Sequence, residues 1–257
     1  MYIIFLVFII LLGLLLLSQK MYENFSSNTG YLFKYKVYWI NLNRSIERRI
    51  YMENQFKKYN LIFNKRVIAI DGNNLDPEIN NYILSGNHSF KNNEIACTLS
   101  HLKAINCAIK NDEDICLIME DDISLGLIPY WNVTLESLLL EAPTDWEVLN
   151  VSVSNPDELE KYKKNSGKFI KWNDDHTSTL CYIINRKGLH KLKKTFDLDT
   201  NKKIDFTHIM KKLDLETIVA DSIIYRALNS YTLFYPIFTF EYFGSTIHVD
   251  QENYQNR

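Results

Sequence analysis

The sequence is poor in the residues that mark several protein classes. It has only four cysteines in 257 residues, and no pair is spaced C-x-x-C, which excludes a structural zinc site. We expect the four to be reduced thiols of the core, where free cysteine is commonly buried: Cys97, Cys107, Cys116 and Cys181. Glycine and proline are also scarce, at eight and five residues.

An excess of charge of either sign is also missing. Lys and Arg total 29 and Asp and Glu total 31, which gives a formal net charge of -2. No overall field therefore selects nucleic acid or an anionic membrane surface, and we expect no nucleic-acid partner. Any anionic ligand must be held locally.

One uncharged hydrophobic run is present, at residues 2–17. A membrane-spanning helix needs roughly 20 residues, with about 17 as a lower limit. We therefore predict a short single-pass membrane anchor or an uncleaved signal at residues 1–18, followed by a polar tether at 19–34. The side of the membrane stays open, because Lys20 favours a cytosolic domain whereas several N-x-S/T sequons suit a lumenal one.

Strands and helices alternate after the tether. Strands are predicted at 35–41 and 66–70 and in a run that ends at Glu120, with helices at 45–60 and 93–111. Further on, strands are predicted at 145–153 and 179–185, a helix opens at Arg186, another helix lies around 216–230, and a pair of aromatic strands lies at 231–243. This order predicts an α/β fold with a mostly parallel central sheet. Ligands in such sheets bind beyond the carboxyl ends of the strands.

The helix at 93–111 is predicted to be buried over more than half of its circumference. Its narrow polar face consists of Ser100, Lys103, Cys107 and Lys110. His101 lies in an arc of small residues beside the apolar arc. Two interpretations of His101 stay open, a satisfied core histidine and a ligand-facing one.

Three consecutive carboxylates, Glu120, Asp121 and Asp122, end the apolar run "CLIM". Clustered like charges repel unless a cation joins them. A site made only of oxygen ligands suits Mg²⁺ or Mn²⁺ bridging to phosphates. Strand alternation places Glu120 and Asp122 on one side, so we predict that they hold the metal together. The alternative is a solvated acidic turn.

Further motifs accompany this cluster: "VYWINLNRSIERR", "RVIAIDG" and "EIACTLSHLKAI". Together with "LIMEDD", they resemble, in order and spacing, glycosyltransferase family 25, which includes bacterial lipooligosaccharide galactosyltransferases and procollagen galactosyltransferases. The resemblance continues through "TSTLCYIINRKGLHKL" and "FGSTIH" and so covers about residues 35–248. Leu189, where family members often have alanine, and "IIN" in place of "IS" depart from the pattern.

The resemblance implies a GT-A type nucleotide-sugar fold at residues 35–250, followed by a tail at 251–257. It also implies an inverting, Mn²⁺- or Mg²⁺-dependent transfer, commonly of galactose from UDP-galactose, onto a glycan or a hydroxylated protein. The metal ligands would be Glu120, Asp122 and His248. The nucleotide sugar would be bordered by Asn41, Arg44, Arg48, Asp71, Ser100, His101, Lys103 and Asp121.

Inverting transfer also needs a carboxylate base for the acceptor hydroxyl. Asp221 is the first candidate, since a charge set among apolar residues can have a raised pKa; a helix N-cap is its alternative role. Asp174 and Asp175 are second candidates, with a solvated loop as the alternative.

Two other functions remain possible from the sequence. One is a membrane-tethered protein of the same fold that binds glycans without turnover. The other is a metal-dependent phosphoesterase, which would normally have further Asp and His motifs that this chain lacks.

Overall fold

The structure, a computed structural model, describes residues 10–17, 34–74, 91–131, 133–152, 168–198, 204–235 and 237–243. Residues 10–17 are helical. None of the helices within these ranges is long and apolar enough to cross a membrane. The predicted segment 2–17 lies only partly in the described ranges, so the anchor remains a prediction.

The N-terminal half alternates strands and helices as the sequence predicts. Its elements are β1 (Lys36–Asn41), α1 (Ile46–Lys58), β2 (Asn64–Ile68), a 3₁₀ turn (Gly72–Asn74), α2 (Asn92–Lys110) and β3 (Ile115–Glu120). The predicted boundaries of the two helices agree with these to within two residues.

The C-terminal half has shorter elements. They are β4 (Ile123–Ser124), a 3₁₀ turn (Ile128–Tyr130), α3 (Leu135–Leu140), β5 (Val148–Asn150), β6 (Phe169–Lys171), β7 (Cys181–Asn185), α4 (Arg186–Thr195), α5 (Phe206–Leu213), α6 (Ala220–Ala227), β8 (Ser230–Leu233) and β9 (Thr239–Phe240). The sequence pattern did not indicate β4, β6, α3 or α5, which are short.

Seven strands form one mixed sheet in the order β2-β1-β3-β7-β5-β8-β6. β1 pairs in parallel with both β2 and β3, and β5 pairs in parallel with β8. β7 runs antiparallel to β3 and β5, and β6 runs antiparallel to β8. Most strands therefore share one direction, and the carboxyl ends of β1, β2 and β3 meet at one edge.

The sheet separates two hydrophobic cores, because alternate side chains of each strand face opposite sides. Tyr38 and Ile118 belong to the core that includes α2, α4 and α6. Trp39 and Leu117 belong to the core covered by α1 and α3. Both faces of β3 are thus buried, which explains its continuous apolar run.

Burial on α2 corrects one sequence prediction. Ser100, placed on the polar face, is only 1% exposed. Its hydroxyl accepts a hydrogen bond from Ile70 N at 2.9 Å and donates to Ala96 O at 2.6 Å. The helix is therefore buried over a wider arc than its polarity indicates, because a serine hydroxyl can be satisfied by nearby backbone.

Candidate active site

Polar side chains gather where β1 and β3 end. Asn41 closes β1, and Glu120 closes β3 with Asp121 and Asp122 directly after it. An open cleft beside them encloses about 600 Å³, counting its solvent-filled mouth.

Asp121 is held from two sides. Asn41 Nδ2 donates to Asp121 Oδ2 at 2.6 Å, and Arg48 Nη1 donates to Asp121 Oδ1 at 2.8 Å. The same Asn41 amide donates to Ser45 O at 3.1 Å and accepts from Arg66 Nε at 2.9 Å. Asn41 thereby ties β1, β2 and the loop before α1 to the acidic cluster.

Asp122 is less completely satisfied. Arg48 Nη1 donates to its Oδ2 at 3.1 Å, while its Oδ1 is buried and has no hydrogen-bond partner among the described residues. Burial, reinforced by the charge of Glu120, raises the pKa of Asp122 to about 7 although Arg48 opposes the shift. A carboxylate oxygen in this situation is suited to meet a cation.

Glu120 lies in the opposite situation. Its Oε1 accepts from Thr179 Oγ1 at 2.6 Å and lies 3.4 Å from His101 Nε2. Burial acts to raise the pKa of Glu120, but the bonds from His101 and Thr179 and the charge of Arg48 bring it below its ordinary value. Glu120 is therefore an ionised, oriented carboxylate.

His101 is buried in the core and also lines the cleft. It is 1% exposed, and its Nδ1 lies 3.2 Å from Tyr182 Oη. It also lines the cleft and contacts Glu120. A proton on Nε2 would allow it to donate to Glu120 while Nδ1 accepts from Tyr182.

Asp71 and Arg44 lie at the mouth of the cleft. Arg44 Nε donates to Asp71 Oδ2 at 2.6 Å, and Asn73 N donates to Asp71 Oδ1 at 3.0 Å. The hydrogen bond from Arg44 lowers the pKa of Asp71. This pair follows β1 and β2, so the mouth carries both a cation and an anion.

Within the described ranges, no group of three or more His, Cys, Asp or Glu side chains is arranged to hold a metal ion. The third predicted ligand, His248, lies outside those ranges. The unpartnered Asp122 Oδ1 nevertheless fits a cation, because Mg²⁺ is often held by only one or two carboxylates together with substrate phosphates.

Sequence comparison decides the family of the chain. Residues 34–208 match the profile of a family described as glycosyltransferase family 25 (LPS biosynthesis protein), which is more than half of the chain. The chain belongs to glycosyltransferase family 25. No curated protein sequence matches it.

The cleft of this family 25 protein collects most of the residues predicted for the nucleotide sugar. Eight predicted site residues line it: Asn41, Arg44, Arg48, Asp71, Ser100, His101, Glu120 and Asp121. Lys103, Asp122 and Asp221 are not among the lining residues, and Lys103 lies farther along α2 than the helix residues that line the cleft. Ser100 contributes mainly by fixing the backbone after β2.

The candidate bases occupy different environments. Asp221 lies in the first turn of α6, where its Oδ1 accepts from Ser222 N at 2.7 Å, and the N-cap of that helix is Val219. Burial raises the pKa of Asp221, and the charge of Glu120 adds to the shift. Asp174 is exposed and pairs with Arg226 Nε at 3.1 Å, and Asp175 is exposed in the same loop.

Thr179 and Tyr182, beside β3, were not predicted as site residues. Glu120 N donates to Leu180 O at 2.9 Å, which brings Thr179 against the Glu120 side chain. Ser178 just before it has φ 140°, an unusual value for a residue with a side chain. Antiparallel pairing of β7 with β3 creates these contacts, and no local sequence signal reports such a pairing.

Proposed function

We propose that the chain is an inverting hexosyltransferase that uses a divalent cation and transfers galactose from UDP-galactose to a glycan or a hydroxylated protein. The observation that carries this proposal is the acidic cluster at the carboxyl edge of the sheet, beside a cleft lined by Arg44 and Arg48. In parallel sheets this edge is where ligands bind. Membership of the family supports glycosyl transfer, and GT-A geometry is the fold we propose for it.

The departing diphosphate requires positive charge. Arg44 and Arg48 reach the cleft from the loop after β1 and from α1, where they can contact phosphate oxygens. Asp122 and Glu120 would hold Mn²⁺ or Mg²⁺, which when bound neutralises the charge that develops on the leaving group.

The acceptor hydroxyl must lose a proton as its oxygen attacks the anomeric carbon. That carbon forms a bond to the acceptor oxygen, the bond to the diphosphate oxygen breaks, and the proton passes to a carboxylate. We assign the proton to Asp221, because burial raises its pKa and a base works best with a pKa near the working pH.

A panel of UDP-sugars incubated with the full-length chain tests the proposal. We expect UDP release with one sugar, UDP-galactose, and loss of that release with EDTA. A mock preparation from cells that do not express the chain controls for contaminating hydrolases. Donor binding without turnover for any sugar would favour the glycan-binding alternative, and release of inorganic phosphate from simple phosphoesters would favour a phosphoesterase.

A further inference from the structure

Arg48 lies inside the acidic cluster as its internal counter-ion. One nitrogen, Nη1, contacts both Asp121 Oδ1 at 2.8 Å and Asp122 Oδ2 at 3.1 Å. The Arg48 side chain is only 11% exposed. The guanidinium therefore supplies to these two carboxylates the positive charge that a divalent cation would also supply.

The surroundings of Arg48 are asymmetric. Asp121 has both oxygens occupied, one by Asn41 and one by Arg48. Asp122 shares Arg48 at the longer distance and keeps Oδ1 without a hydrogen-bond partner among the described residues. Asp121 is thus the more fully bonded partner of Arg48, and Asp122 is the carboxylate that can give up its contact with Arg48.

Arg48 also contacts an aromatic ring on one side and lines the cleft on another. Its guanidinium carbon lies 5.4 Å from the centre of the Phe243 ring, and that ring packs against Tyr51 at 5.1 Å. In another direction Arg48 lines the cleft. Because a guanidinium carries five N–H donors, it can keep Asp121 while it turns toward an anion in the cleft.

We propose that a nucleotide diphosphate draws Arg48 away from Asp122, so that binding of the donor and binding of the divalent cation are coupled. This inference rests on the proposed function. Without a nucleotide, Arg48 competes with the cation for Asp122 and keeps cation affinity low. With a diphosphate in the cleft, Arg48 exchanges its contact with Asp122 for one with phosphate, and Asp122 becomes available.

The coupling has a measurable form. The factor by which UDP raises Mn²⁺ affinity must equal the factor by which Mn²⁺ raises UDP affinity. Direct contact between phosphate and cation contributes part of this factor. Release of Asp122 by Arg48 contributes the rest, so removing Arg48 should reduce the factor.

The test is Mn²⁺ binding to the full-length chain, followed by the electron paramagnetic resonance signal of free Mn²⁺, with and without UDP. In Arg48→Met we expect Mn²⁺ affinity without UDP to rise by about 10-fold, and the coupling factor to fall by the same amount, within the usual range of coupling between sites. Arg49→Met is the matched control. It removes an equal charge from the next residue of α1, where Arg49 pairs with Glu53 in solvent, and should change neither value.

A second variant covers the case in which Arg48→Met does not fold. Arg48→Lys keeps the charge but replaces the planar guanidinium with a compact ammonium, so we expect a smaller rise of Mn²⁺ affinity without UDP. Unchanged or weaker Mn²⁺ binding without UDP in the folded variants would overturn the inference, even if the wild type transfers sugar with Mn²⁺. If the wild type binds no Mn²⁺ with or without UDP, the proposed cation dependence is wrong as well.

Discussion

Two carboxylates at the end of β3 have opposite surroundings. We call the residues around them the Glu120 flank and the Asp122 flank. On the Glu120 flank, Thr179 and His101 surround the carboxylate with donors, and the pKa of Glu120 falls despite burial. On the Asp122 flank, burial and the charge of Glu120 raise the pKa of Asp122 to about 7, and its Oδ1 has no hydrogen-bond partner among the described residues. Both acids are buried, so their pKa values differ because the donors and charges around them differ.

This difference suggests a division of roles. A carboxylate whose pKa is lowered by hydrogen bonds is fixed in place and ionised. A carboxylate with an unsatisfied oxygen and a raised pKa gains most from a cation. Such opposed environments within one cluster are a common sign of separate chemical roles.

The largest expected effect comes from removing the charge that we propose faces the cation. Asp122→Asn keeps the shape of the side chain but not its charge. We expect Mn²⁺ affinity to fall by more than the roughly 10- to 100-fold loss typical of residues that only support a metal ligand, and turnover to fall with it. Mn²⁺ titration of the UDP-bound protein measures the loss.

Asp145→Asn is the control for this experiment, since Asp145 is an exposed carboxylate bonded to Tyr231. It should bind Mn²⁺ as the wild type does. Unchanged Mn²⁺ affinity in a folded Asp122→Asn protein would show that the cation is held elsewhere. Asp122 would then not have a separate role in binding the cation.

The next effect concerns the proton acceptor near the Glu120 flank. Asp221→Asn should lower turnover by roughly 100-fold or more, the usual contribution of a general base, and leave UDP affinity nearly unchanged. Steady-state kinetics with a melting curve check both values. Full turnover in a natively folded variant would make Asp221 a structural residue and direct the same test to Asp174 and Asp175.

The pH dependence of stability should have opposite signs on the two flanks. A raised pKa means that folded Asp122 keeps a proton that the unfolded chain loses, so its stabilising contribution declines as pH rises from near 4 to about 7. The lowered pKa of Glu120 gives a contribution that is present above its ordinary value and is lost as pH falls below it. Each contribution is on the order of a few kcal/mol at most.

Melting temperatures in EDTA between about pH 2 and pH 8 measure these slopes. Relative to the wild type, Asp122→Asn should become more stable as pH rises from near 4 to about 7. Glu120→Gln should lose stability relative to the wild type at lower pH, as pH rises toward the ordinary pKa of a glutamate. Parallel curves for both variants would contradict the opposed environments.

The smallest effect is the loss of one hydroxyl. Thr179→Val removes a donor to Glu120 and should cost about 1–2 kcal/mol in the free energy of unfolding, since a bond to a charged group is lost. Thr232→Val is a matched control, because the Thr232 hydroxyl is buried without a hydrogen-bond partner in the described part of the chain. Urea unfolding should find it neutral or stabilising, and equal losses in both variants would mean that the Thr179 bond contributes little.

Much of the first half of the fold could be predicted because it is encoded locally. The charged helix α1, the amphipathic helix α2 and the apolar runs of β1 and β3 are each visible in a short stretch of sequence, and parallel strands joined by helices bring their ends to one edge. The nearness of Asn41, Glu120 and Asp121 follows from that rule alone. The family resemblance is confirmed by the profile match.

The partners within the site could not be predicted in the same way. Alternation along β3 grouped Glu120 with Asp122, yet Arg48 joins Asp121 to Asp122. The strand ends at Glu120, so its alternation does not extend to the turn that follows. Thr179 reaches Glu120 only through the pairing of β7 with β3, a long-range contact that no local pattern encodes.

The Asn41 amide has an evolutionary consequence. One short side chain serves Ser45, Arg66 and Asp121 at once, donating to two and accepting from the third. Aspartate there would repel Asp121, and glutamine would displace every contact by the length of one methylene. Substitutions at positions 41, 66 and 121 should therefore be inherited together across related sequences, as a linked set drawn from three separate segments of the chain.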